Sequence, residues 1–309
     1  MDGQKIKIGF GFTLICLIWG STWLFIRIGL DSLTPIISAG LRFTLASLFV
    51  LVLMKYKKIL LQRDSLSIKL YFILAFFSYV IPFGLVYWAE QYIPSGLASI
   101  IFAVMPFGVI LFTKLFIPKA EIKIVQIIGV LVGFLGIIII FSEDLTFDLS
   151  NNLLGMIAVF LSAMMQAAIA VTIKKHGGHL NPLSMNFVPL LIAGLFMISF
   201  AFFLEDNSTW KFDYNAIISL AYLALFGTLV TFTTYYWLLK RMNIIILSLS
   251  TFITPIVAVI LGWLILNEKF SFQELIGSGM VLIGILFANF NGLINYFRLK
   301  KSSHNDKHY

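Results

Sequence analysis

Charged residues are scarce in this chain. Only 12% of its 309 residues are charged, whereas 60% are apolar, and the mean hydropathy is +0.98. Because a water-soluble domain carries about 25% charged residues, this deficit excludes an ordinary soluble globular protein. Long runs of Ile, Leu, Val and Phe indicate instead a polytopic helical membrane protein, with the lipid bilayer as its surroundings.

Cysteine and the usual catalytic motifs are also missing. The single cysteine, Cys16, lies in the first apolar run and excludes an intrachain disulfide. No G-x-x-x-x-G-K-[ST] loop is present, so the chain carries no ATP-binding loop of that kind. All four histidines lie outside the apolar runs, and no Cys/His cluster has metal-ligand spacing. We therefore expect no cofactor, no metal and no catalytic residue, which argues against an enzyme.

Ten apolar runs have the length of a membrane-spanning helix. They lie near residues 8–30, 35–54, 68–89, 96–117, 123–141, 153–174, 182–204, 215–239, 244–266 and 273–294. Because so many runs follow the first one, we interpret it as an uncleaved span and not as a signal peptide.

Basic residues predict the orientation of these spans. With the N-terminus in the cytoplasm, 18 of the 22 Lys and Arg residues fall on inside segments or the adjoining span ends. Most acidic residues fall on the outside segments. This alternation follows the positive-inside rule and predicts that both termini are cytoplasmic. The net charge of +8 thus belongs to loops, and we expect no nucleic-acid partner.

The two halves of the chain resemble each other, and we divide it into repeats at 1–144 and 145–309. Tyr87 aligns with Tyr236 and Pro106 with Pro255 at one offset. Because each half has five spans, an odd number, the halves must enter the membrane in opposite orientations. The sequence therefore predicts an all-α polytopic membrane protein with ten transmembrane helices as two inverted five-helix repeats. Such folds are typical of transporters with a site between the repeats; a duplicated scaffold is the alternative.

These features together resemble the drug/metabolite transporter superfamily, in its EamA-like ten-helix branch. The resemblance covers nearly the whole chain and depends on the Gly-rich fifth and tenth spans and on Trp19, Gly20, Ser21, Arg42, Pro106, Pro255 and Glu268. The segment PKAEIK (118–123) departs from the pattern of LNEKFS (266–271). The resemblance implies a secondary transporter in the cytoplasmic membrane, an exporter of small metabolites such as amino acids.

Several polar and aromatic residues lie deep in the spans and are candidates for substrate binding. They are Trp19, Ser21, Thr22, Trp23, Arg42, Tyr79, Gln166 and Asn186. Close packing of small residues is the alternative for the IWGSTW stretch (18–23), and hydrogen bonds between helices are the alternative for Gln166 and Asn186. Arg42 would contact either a substrate carboxylate or Glu90, and such a pair, opened by substrate, would act as a gate.

Other assignments stay open at this stage. Arg27 and Glu90 are candidates for gating or coupling, although Arg27 could instead extend to the interface. Proton coupling, exchange and facilitated flux all fit the sequence. The glycine stripe at 129, 133 and 136 indicates either a contact within the bundle or the face of a homodimer. The alternatives to a metabolite carrier are an exporter of hydrophobic or cationic drug-like compounds and, less favoured, a channel or scaffold.

Overall fold

The computed structural model describes residues 3–116, 124–142, 151–242, 247, 250–284 and 286–287. Within these residues the secondary structure is helical, without a β-strand. The helices are α1 (Gly3–Leu30), α2 (Pro35–Tyr56), α3 (Ser65–Ala89), α4 (Ser95–Phe116), α5 (Ile124–Ser142), α6 (Asn151–His176), α7 (Ser184–Leu204), α8 (Tyr214–Leu239), α9 (Ser250–Leu266) and α10 (Phe272–Gly284), with a short 3₁₀ turn at Asn207–Thr209.

Each of the ten predicted spans contains one of these helices. Residues 244–246 and 248–249 of the ninth span, residues 285 and 288–294 of the tenth, and residues 117 and 123 lie outside the described residues. Seven of the helices, among the described residues, are long and apolar enough to cross a membrane. The apolar parts of the other three, α5, α9 and α10, are shorter. The chain is therefore an all-α polytopic membrane protein, as the sequence predicted.

The helix ends form two groups of connections with opposite composition. We call residues 31–34, 90–94, 205–213 and 267–271 the acidic end, because most of the acidic loop residues lie there. Residues 57–64, 177–183 and 240–242 form the basic end. Glu205, in the connection 205–213, contacts the start of α2, which directly follows the connection 31–34. Its carboxylate accepts hydrogen bonds from the backbone N–H groups of Ile36 (2.7 Å) and Ile37 (2.9 Å).

Glycines allow two helix pairs to approach closely. At the crossing of α2 and α7, a Cβ on Gly40 would lie 2.8 Å from the backbone nitrogen of Ile198. A Cβ on Gly136 of α5 would lie 2.6 Å from the carbonyl oxygen of Gly277 on α10. The glycine stripe of α5 thus makes a contact within the bundle, where small residues let backbones touch. A homodimer stays a prediction.

Candidate functional site

Two π-helical segments interrupt the long helices α3 and α8. They lie at Ala75–Val80 and Leu225–Val230, about halfway along each helix. A π turn changes the direction of its carbonyl groups and often marks a functional position. Here the Ser78 carbonyl accepts a hydrogen bond from the Gln166 amide (2.7 Å), and the Gly227 carbonyl accepts one from the guanidinium of Arg42 (3.1 Å). Each π segment therefore supplies a polar group to the middle of the bundle.

Arg42 is buried between α2, α3 and α8 with only 1% of its surface exposed. Its Nε donates to Thr228 Oγ1 (2.9 Å) and its Nη1 to Tyr87 Oη (3.2 Å). The guanidinium carbon also lies 5.0 Å from the ring centre of Phe83. The expected ion pair with Glu90 does not form among the described residues, since the guanidinium donates to neutral oxygens instead.

A central cavity, part of it open to solvent, lies beside this arginine. Its walls come from α1, α3, α4, α6, α8 and α9, with Arg42 from α2. Aromatic rings form much of the wall: Trp19, Trp23, Phe83, Phe102, Phe232, Tyr235 and Tyr236. Hydroxyl groups complete it: Thr22, Ser78, Ser99, Ser162, Ser250, Thr251 and Thr254. Among the described lining residues, Arg42 alone carries a charge.

The side chains of the IWGSTW stretch lie on two different surfaces of α1. Trp19, Thr22 and Trp23 line the central cavity. Gly20 packs against α9, where an added Cβ would lie 2.5 Å from Val257. Ser21 shares a hydrogen bond of 2.6 Å with the hydroxyl of Tyr222 on α8. Thus Gly20 and Ser21 mediate helix packing, as the alternative for this stretch expected, whereas the two tryptophans border the cavity.

The remaining candidates divide in the same way. Gln166 lines the cavity next to Ser78, which donates its hydroxyl proton to Gln166 Oε1 (2.9 Å). Tyr79 and Asn186 do not line it, because the Tyr79 hydroxyl donates to Asn186 Oδ1 (3.1 Å) inside a buried contact of α3 with α7. The Asn186 amide then donates to Thr233 (3.2 Å). Substrate contact stays a prediction for all of these residues.

At the acidic end, α4 and α9 are joined by one carboxylate, in a contact that we call the clasp (Ser95, Gly96, Gly262, Asn267 and Glu268). Glu268 accepts hydrogen bonds from Ser95 N (2.8 Å), Ser95 Oγ (2.6 Å) and Gly96 N (3.0 Å) at the start of α4. Asn267 has φ = 55°, a left-handed conformation that turns the chain back after α9. Gly262 leaves room for the Glu268 carboxylate, which a Cβ at this position would displace.

Arg27 and Glu90 lie next to this clasp. The guanidinium of Arg27 donates to the backbone carbonyl of Glu90, so that α1 is joined to the end of α3. The Glu90 side chain is 0% exposed, and neither carboxyl oxygen has a hydrogen-bond partner among the described residues. Arg27 therefore makes a defined contact across the acidic end and does not simply extend to the interface.

Comparison with known proteins agrees with this architecture. The model of the EamA-like transporter family matches residues 7–142 and again 153–290. The chain belongs to the EamA-like transporter family. It is 25% identical over 287 residues to "Uncharacterized transporter YoaV" of Bacillus subtilis, covering 92% of this chain and 97% of that protein. It is 29% identical to "Protein PagO" of Salmonella typhimurium, covering 91% and 92% of the two chains.

Two further comparisons extend the list of similar proteins. This EamA-like protein is 28% identical to "Uncharacterized inner membrane transporter YedA" of Escherichia coli K12, over 87% of its own chain and 86% of that protein. A solved structure described as "Crystal structure of protein" has a TM-score of 0.68 and 17% identity and covers 91% and 96% of the two chains. That likeness concerns the fold. The EamA-like protein is a multi-pass membrane transporter.

Sequence reasoning missed the clasp and the partners of Arg42. Glu268 was part of the family resemblance only, and its three partners on α4 lie more than 170 residues away. Thr228 and Tyr87 looked like ordinary polar residues of their spans. The one local signal was the Asn-Glu pair directly after an apolar run, because Asn tolerates the left-handed conformation that ends a helix.

Proposed function

We propose that this EamA-like transporter carries a small amphipathic solute with a carboxylate group, such as an amino acid or a related metabolite, through the central cavity. The buried guanidinium of Arg42 is the observation that carries the proposal. Its three described bonds, all to neutral oxygens, use three of five N–H groups. A guanidinium binds carboxylates in a two-pronged geometry, and the aromatic walls suit an apolar side chain.

Alternating access is the mechanism that the arrangement of α4 and α9 supports. The two helices meet at the clasp, and both line the central cavity farther from the acidic end. A second cavity, lined by Lys174 and Lys240 at the basic end, shares Ile173 and Tyr236 with the central one. These contacts support a state that is closed at the acidic end and approached from the basic end.

Export is the direction that we propose, and the predicted orientation is compatible with it. Basic connections favour the cytoplasmic side, so the central cavity would receive its solute from the cytoplasm and release it outside. Both termini are then cytoplasmic. The relative YedA is named as an inner membrane transporter, which supports the same location here.

A neutral hydrophobic drug-like compound is the second candidate substrate. The wall of the central cavity is mainly apolar, which favours such a ligand. A cationic compound is disfavoured, because Arg42 places a positive charge at the same cavity.

Uptake into proteoliposomes tests the proposal. Purified protein would be assayed for saturable counterflow of labelled amino acids and of N-acetylated amino acid amides, which lack the carboxylate and carry no net charge. We expect Arg42→Lys to weaken the apparent affinity for amino acids at least tenfold and to leave amide transport unchanged, since lysine lacks the planar fork. Trp19→Ala should impair both solutes.

Ser21→Ala is the matched control for Trp19→Ala. Ser21 lies on α1, as Trp19 does, but it faces Tyr222 and not the cavity. It should transport like the wild type. Equal effects of Arg42→Lys on amino acids and amides would contradict carboxylate recognition. Flux that does not saturate and shows no counterflow would indicate a channel.

A further inference from the structure

Glu90 differs from the other acidic residues at the acidic end. Glu205, Asp213 and Glu268 each accept hydrogen bonds from backbone or hydroxyl groups. Glu90 is fully buried directly after α3, and both of its carboxyl oxygens lack a partner among the described residues. An ionised carboxylate has only acceptor atoms, so burial without donors strongly disfavours the charged form.

The charges around Glu90 come from three other parts of the chain. Arg27 on α1, Arg42 on α2 and Glu268 of the clasp act on it electrostatically, and Tyr87 lies one turn earlier on α3. The helices α4 and α6 add no charge there, since their first ionisable residues are Lys114 and Lys174, near the opposite ends. Among the residues that the structure describes, Glu90 thus has two cations and one carboxylate as charged neighbours.

Neither arginine uses its donors on the Glu90 carboxyl group. Arg27 donates to the backbone carbonyl of Glu90 instead. Arg42 donates to Thr228, Gly227 and Tyr87. A carboxylate would compete strongly for such donors, because charge-assisted hydrogen bonds are about twice as strong as neutral ones. The closed acidic end is therefore arranged around a neutral Glu90.

We propose that Glu90 binds a proton when the acidic end closes and releases it when that end opens to water. This inference rests on the alternating access of the proposed function. Since the closed state holds one more proton than the open state, low pH at the acidic face stabilises closure and high pH stabilises opening. Transport then depends on pH at this face through one side chain that lies outside the central cavity.

The opening of the acidic end can be measured without knowing the substrate. Val86 lines the central cavity one turn before Glu90 and is 5% exposed. Val86→Cys, in a Cys16→Ser background, would be labelled in intact cells by a membrane-impermeant thiol reagent added outside. The labelling rate would be divided by that of Gln91→Cys, an exposed neighbour, which corrects for the pH dependence of thiol reactivity.

We expect the corrected rate to rise with external pH between 5 and 8, by up to about tenfold per pH unit, the limit for one linked proton. Glu90→Gln imitates the protonated side chain. This variant should fold normally, and its corrected labelling rate should stay low. Over the same pH range that rate should change less than about twofold, because the linked proton is missing. Glu90→Asp keeps the ionisable group and should keep the pH dependence with a displaced midpoint.

Three outcomes would overturn the proposal, and they differ in meaning. A pH dependence that persists in folded Glu90→Gln would assign the proton to another group. Dependence on sodium in place of pH would make Glu90 a metal-cation site. Absence of labelling at every pH would show that the acidic end does not open, and would overturn the alternating access together with the proton linkage.

Discussion

The clasp at the acidic end leads to a quantitative prediction for Glu268→Gln. The carboxylate accepts three hydrogen bonds at the start of α4, with Oε1 on both donors of Ser95 and Oε2 on Gly96 N. Glutamine keeps one acceptor oxygen, and its NH₂ group would face a donor. The substitution therefore removes at least one bond and the charge that lies at the start of the helix.

The size of the effect follows from these two losses. A hydrogen bond to a charged group contributes about 1.5–3 kcal/mol. A carboxylate at a helix N-terminus contributes about 0.3–1 kcal/mol more. Glu268 is half-buried, so solvent screening favours the lower part of the sum, about 2–3 kcal/mol. Because 1.4 kcal/mol is a factor of ten, the closed state should become roughly 30- to 150-fold less favoured.

The thiol-labelling assay on Val86→Cys measures this change directly. We expect Glu268→Gln to raise the labelling rate from outside by a factor in that range, until the open state predominates. Glu205→Gln is the matched control, because that carboxylate also caps a helix, α2, through Ile36 and Ile37. It should lower thermal stability without faster labelling, since α2 and α7 stay in contact at the Gly40 crossing. Equal labelling of wild type and Glu268→Gln would refute the reasoning.

Three smaller changes test other contacts. Thr228→Val removes an acceptor of buried Arg42, so we expect a loss of stability of about 1.5–3 kcal/mol in detergent unfolding; an unchanged midpoint would contradict the bond. Ser21→Ala should cost only about 1 kcal/mol through its bond to Tyr222 in the same assay, because the groups are half-buried. Gly136→Leu should separate α5 from α10 and sharply reduce the amount of folded protein in the membrane; normal amounts would show that the contact is dispensable.

The sequence predicted the membrane spans well, because burial in lipid demands long apolar helices whatever the function. It also selected residues that the structure places around one cavity, since polar and aromatic side chains at depth are costly without a purpose. It did not predict the π segments, nor the hydrogen bond from Arg42 to the Gly227 carbonyl of the second one, which spans 185 residues. It likewise did not predict the hydrogen bond between Tyr79 and Asn186, because nothing local shows that two buried polar groups satisfy each other.

The crossing of α2 and α7 has a mechanical consequence. A Cβ at Gly194 would lie 2.6 Å from the backbone nitrogen of Thr44, and Gly40 faces Ile198 equally closely. Side chains on either side of this crossing block sliding of one helix along the other. The contact permits rotation of one helix relative to the other about the crossing point. Under the proposed alternating access, rotation about this crossing would spread the two helices at one end and bring them together at the other.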